Sequence, residues 1–286
     1  MLKKVPKKSK PLKTISKKKI LELKPYLDEV AAQVEVPEYI DSDPVCFLHA
    51  YDDVLDKQLA GFFAAIMAWG RRDIVINKVG ELMERMGHQP FSFIKNYAEH
   101  SRESLSGFKH RTFTEEDVHQ LIVQLNRIIH IYGGFEPFWA DVYAQAKNQN
   151  RELIAVFHER FFEGLIGPQR VKKHIANSEK NSSCKRLYLY LRWTVRKNSC
   201  VDTGVYNFMP ESELMIPLDV HVARQARKLG LLGRTQNDWK AVVELTEKLR
   251  ILNPNDPAYY DYALFGIGVL KKELPENVII NKKVEA

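Results

Sequence analysis

The residues Leu187-Tyr188-Leu189-Tyr190-Leu191-Arg192-Trp193-Thr194-Val195 decide how this chain folds. Taken at every second position, Leu187, Leu189, Leu191, Trp193 and Val195 alternate as a half-buried strand does. Taken at three- and four-residue steps, Leu187, Tyr190, Leu191, Thr194 and Val195 line one face of a helix. The neighbours break the tie. Ile20, Leu21, Leu23, Leu27, Val30 and Ala31 predict a helix over residues 18–34. Residues 56–69 are almost continuously apolar, and a helix apolar all round is buried. This is the predicted central helix, with Phe62, Phe63 and Trp69 as core aromatics. Thr114 and the acidic turn Glu115-Glu116-Asp117 open a helix that Gly133-Gly134 closes. Further helices are predicted over 70–86, 91–97, 138–147, 151–165, 220–229, 238–249 and 258–270, one starting near Pro44. Neither a strand-rich region nor a repeat is visible. The segment 187–195 is therefore read as helix, and residues 20–270 as one all-α domain of two interleaved lobes with a cleft between them.

Composition narrows the function classes. The chain has 286 residues and 45% apolar content, enough for a sizeable core. Its longest apolar run is far shorter than a membrane span, so no membrane partner is expected. Cys46, Cys184 and Cys200 are scattered and odd in number, which argues against a disulfide framework, a structural zinc or an iron–sulfur cluster. A reducing cytoplasm and no metal or other cofactor are expected. The net charge of +7 is unevenly spread: residues 1–19 hold nine lysines and no acid. That stretch reads as a disordered basic tail able to hold nucleic acid loosely, or simply to aid solubility. Residues 271–286 read as a loose C-terminal tail. Residues 170–234 carry thirteen Lys or Arg against five Asp or Glu, a basic segment on an otherwise acidic body. Such a segment suggests a polyanionic partner or a solvated face.

Two residues in that segment carry candidate chemistry, 34 positions apart: Lys185 and Asp219. Asp219 follows Pro217-Leu218 and precedes a predicted helix, the position of an ordinary N-cap. A capping aspartate is also held at an exposed helix start, where it can act on a ligand. Lys185 opens the predicted helix among basic neighbours. It is either a solvated surface charge or an amine whose pKa is depressed enough to attack carbon. His221 lacks a second ligand at helical spacing, since position 225 is Gln225, so a metal site is rejected. No phosphate-binding glycine loop and no nucleophile elbow occur.

Ile216-Pro217-Leu218-Asp219-Val220-His221-Val222-Ala223-Arg224, with Lys228-Leu229-Gly230-Leu231 after it, resembles the catalytic-aspartate segment of helix-hairpin-helix DNA glycosylases. The long lysine-to-aspartate gap is most similar to the archaeal 8-oxoguanine glycosylases. Over residues 56–270 the chain also resembles an uncharacterised family of bacterial conserved hypothetical proteins. Its typical residues include Ser183-Cys184-Lys185-Arg186, Leu191-Arg192-Trp193, Val201-Asp202 and Tyr260-Asp261-Tyr262-Ala263-Leu264.

The glycosylase resemblance implies specific roles. Lys185 would attack the deoxyribose C1′, and Asp219 would stabilise the oxocarbenium-like sugar and orient the amine. Arg186, Arg192, Arg196 and Arg224 would contact phosphate, as would a hairpin before Lys185. Asp261 and Phe265 would read and stack on the flipped base. The expected partner is damaged double-stranded DNA, bound by a monomer. Two departures stand out. Residues 177–184 contain no glycine where the usual hairpin carries Gly-x-Gly, and the iron–sulfur cysteines of the endonuclease III branch are missing. The alternatives are a non-catalytic nucleic-acid-binding module and a helical protein-interaction scaffold.

Overall fold

The computed structural model describes residues 10–269, 278–281 and 284. Helix α1 (Lys17–Val34) starts at Ser16, whose side chain accepts from the Lys19 N–H. It buries Ile20, Leu23, Leu27, Val30, Ala31 and Val34, while Leu21 stays exposed. The expected start near Pro44 is a single turn, α2 (Cys46–His49). Asp53 caps α3 (Val54–Met67) through the N–H groups of Leu55 and Asp56. Every residue of α3 from Gln58 to Met67 is buried, so the apolar run is the centre of the molecule. Trp69 departs from the sequence reading. The helix has ended by then, and the ring is only half-buried.

The chain continues through α4 (Arg72–Arg85) and α5 (Pro90–Lys95) to a two-residue antiparallel pair, β1 (Lys109–His110) and β2 (Phe113–Thr114). Helix α6 (Glu115–Tyr132) has the expected ends: Asp117 accepts from the Thr114 N–H, and Gly133 adopts φ 77°. Helices α7 (Phe135–Gln149) and α8 (Leu153–Phe161) supply an aromatic layer in which Trp139 and Phe157 stack at 4.0 Å.

The ambiguous segment is helix α9 (Lys185–Val195), packed on α3 with its Tyr190 hydroxyl donating to the Gln58 carbonyl at 3.0 Å. Helices α10 (Val220–Lys228), α11 (Trp239–Leu252) and α12 (Tyr260–Val269) complete the fold, and α1 lies along α12. One continuous apolar cluster links α1 to α12. The chain is thus predominantly helical.

Both predicted tails are partly fixed. Leu12 and Ile15 donate backbone N–H groups to Gly233 and Gly230, and Ile280 donates to Lys228. Residues 1–9, and 270–277 of the C-terminal stretch, lie outside the described residues.

Candidate active site

Lys185 is the first residue of α9. Cys184 before it is buried and left-handed, with φ 52°, and this sharp entry sets the direction in which α9 starts. Asp219 is the N-cap of α10, its Oδ1 accepting from the Val222 N–H at 2.8 Å. That leaves Oδ2 to meet Lys185 Nζ at 3.2 Å. The structure therefore brings together two residues 34 positions apart, with the lysine side chain 34% exposed and the aspartate 16%. Both line a cleft of about 760 Å³.

One part of the cleft wall is built from the end of α3. Arg186 lies 5.0 Å from the Trp69 ring and donates from Nη1 to the Ile66 carbonyl at 2.6 Å. Burial lowers its pKa to about 10, and no carboxylate pairs with it among the described residues. Another part is built from Tyr39, Asp43, Arg72 and Phe265. Arg72 Nη2 sits 3.1 Å from Asp43 Oδ2 and 2.9 Å from the Tyr39 hydroxyl. Its guanidinium lies 4.6 Å over the Phe265 ring. Asp261, from α12, is nearly enclosed. Burial, against the pull of Arg192 and with the Asp219 carboxylate adding to it, raises its pKa to about 6.

The four arginines expected at phosphate separate into two pairs. Arg186, Arg192 and Arg224 all line the cleft, but only Arg186 and Arg224 do so without an ion-pair partner among the described residues. Arg224 Nη2 is 3.4 Å from His221 Nδ1, and its Nε is enclosed with no hydrogen-bond partner among the described residues. Arg192 and Arg196 are each 2% exposed and face carboxylates instead. Arg192 pairs with Asp261, donates to the Tyr262 hydroxyl at 3.2 Å and places Nε 3.4 Å from Asp202. Arg196 pairs with Asp202, with Asp256 at 2.8 Å and with Glu35 at 2.9 Å. Two buried guanidinium groups need compensating charge, and these acids supply it, so the charge of both is already paired. Asp261 and Phe265 both line the cleft.

The stretch before Lys185 contains two 3₁₀ turns, Gln169–His174 and Ser178–Lys180, and no α-helix after Phe161. A hairpin between two α-helices is therefore not formed there. Sequence reasoning did not single out Tyr39, Asp43, Trp69 or Arg72 for the cleft. The one sequence signal at this place is that Trp69 is followed at once by Gly70-Arg71-Arg72, polar residues that end the apolar run. Among the described residues no group of three or more His, Cys, Asp or Glu could hold a metal ion. Nor, among the described residues, is any helix long and apolar enough to cross a membrane.

No curated protein and no solved structure matches the chain. The family model described as "Protein of unknown function (DUF2400)" matches residues 43–270, from the Asp43 wall of the cleft to the end of α12, and the chain belongs to that family.

Proposed function

We propose that the protein is a DNA glycosylase with abasic-site lyase activity, in which Lys185 is the nucleophile and Asp219 its partner. The observation that carries this reading is the 3.2 Å contact between Lys185 Nζ and Asp219 Oδ2 inside a cleft large enough for one extruded nucleotide. Asp219 divides its oxygens between two tasks. Oδ1 is fixed by the Val222 N–H, and Oδ2 is left for the amine and for the sugar.

The ammonium group must first shed a proton, and Asp219 Oδ2 is the acceptor in contact with it. The free amine then forms a bond to C1′ as the C1′–N bond to the damaged base breaks. The bonding electrons leave with the base, which takes up the proton held at Asp219 and so restores the carboxylate. The Asp219 carboxylate offsets the positive charge that builds on the sugar. The C1′–O4′ bond then breaks, its electrons and the proton from the amine going to O4′, which gives an imine between Lys185 and C1′. Loss of a C2′ proton to the Asp219 carboxylate breaks the C3′–O bond, whose electrons leave with the 3′-phosphate. Asp261 and Phe265 line the space for the departing base, and Arg186 and Arg224 are the cleft cations left for phosphate.

Borohydride reduces such an imine to a stable amine, so the test is covalent trapping on duplex DNA carrying an oxidised base or an abasic site. The wild-type chain gives an adduct, Lys185→Ala gives none, and Asp219→Asn slows its formation about 100-fold or more. Absence of any Lys185-dependent adduct across these lesions overturns the reading. Salt-sensitive DNA binding that survives both substitutions would then leave a non-catalytic nucleic-acid-binding module.

A further inference from the structure

We infer that residues 10–19 form a seated lysine strap, a second polyanion contact for the backbone of duplex DNA flanking the nucleotide in the cleft. The choice of duplex DNA rests on the function proposed above; the strap itself rests on separate observations. Its path is fixed by backbone groups. The Leu12 N–H donates to the Gly233 carbonyl at 2.8 Å and the Ile15 N–H to the Gly230 carbonyl at 3.2 Å. Asn281 Nδ2 donates to the carbonyls of Lys13, at 2.9 Å, and Arg227, at 2.8 Å, tying the strap to the end of α10. A Cβ at Gly233 would come within 2.7 Å of Thr14 Cγ2 and 3.3 Å of the Leu12 carbonyl, so the strap lies directly against this glycine.

The strap presents Lys10, Lys13, Lys17, Lys18 and Lys19, all exposed, and none joins an ion pair among the described residues. Two acids lie near the strap without pairing with its lysines among the described residues. Glu244 Oε1 is occupied by the Gly233 N–H at 2.7 Å and by Lys248 Nζ at 3.4 Å, and Glu22 is the exposed acid closest in sequence.

Two facts point to a ligand. First, Lys17, Lys18 and Lys19 fill the opening turn of α1, which contains no acid. That is the end of a helix where unpaired N–H groups repel positive charge. The sequence keeps three cations where helix stability favours anions. Second, the strap meets α10 at its C-terminal end, and the N-cap of the same helix is Asp219. Nine residues at 1.5 Å rise span about 14 Å, roughly four phosphate spacings along one strand. A strand with one nucleotide at Asp219 that follows α10 therefore reaches the end of the helix that holds the strap within about four phosphates.

The test replaces Lys10, Lys13, Lys17, Lys18 and Lys19 together with Gln in the full chain, leaving residues 1–9 intact. Binding to a lesion-bearing duplex is measured across a salt series, with borohydride trapping at saturating DNA alongside. The slope of log affinity against log salt should shrink by at least about two, and affinity should fall about tenfold or more at moderate salt. The trapped yield at saturation should not change. The thermal midpoint should rise, because the opening turn of α1 loses its misplaced charges, so misfolding is not confused with lost binding. An unchanged slope overturns the strap. A wild-type chain that never traps, yet binds with the strap-dependent slope, overturns the proposed chemistry and leaves the strap standing.

Discussion

Asp219 shows how one side chain serves structure and chemistry through different atoms. Oδ1 caps α10 and Oδ2 meets Lys185. Asp219→Ala should therefore lower stability by about 1 kcal/mol through the lost cap, whereas Asp219→Asn should hold the cap. Chemical denaturation separates the two, while trapping should fail or slow in both. Two other buried residues act on stability in opposite senses over one pH range. His174 sits in the core 3.3 Å from Asp117, and burial pushes its pKa down to about 4. The unfolded chain takes up this proton near pH 6.5, so stability is lost as pH falls from there to about 4. Asp261 is pushed up to about 6 by burial. Its contribution is complete below about pH 4 and is lost as pH rises through 6. Each shift corresponds to about 3 kcal/mol, and together they nearly cancel. Denaturation midpoints between pH 4 and 6.5 should accordingly steepen on acidification in Asp261→Asn, and slope the opposite way in His174→Gln.

The site depends on how closely α12 lies against α1. Gly266 makes this possible: a Cβ there would overlap the Val34 side chain and press on Val30. Gly266→Ala should force the helices apart at a cost of about 1–3 kcal/mol. It should also shift Asp261 and Phe265, which belong to the same helix. A stability loss without any change in trapping would show that the cleft tolerates the movement. Helix positions were largely legible in the sequence. The stripe of α1, the apolar run of α3, the capping box of α6 and the aspartate before α10 each follow from local spacing or from a cap. Trp69 was not legible, because an aromatic at the end of an apolar run has the same local signature whether it faces the core or a cleft.

Across the whole molecule, Asp202 is the hub behind the site. It pairs with Arg196, lies 3.4 Å from Arg192 Nε and accepts from the Tyr262 hydroxyl at 2.9 Å. It thereby ties α9 to α12 beneath the cleft. Asp202→Asn removes the counter-charge shared by two buried guanidinium groups and should cost about 3–5 kcal/mol, measurable as a drop in the denaturation midpoint. A loss below about 1 kcal/mol would show that Asp261, Asp256 and Glu35 suffice to hold both arginines.

The sequence by itself determined the helices, the buried centre and the pairing of a capping aspartate with a basic segment, because these depend on periodicity and on contacts a few residues long. Only the tertiary structure decided which arginines are free. Arg192 and Arg196 look like surface cations beside Trp193. They are internal because Asp202, Asp256, Asp261 and Glu35 converge on them from distant parts of the chain. The meeting of Lys185 with Asp219 was likewise decided there, since nothing local to either residue fixes the separation of two helix starts.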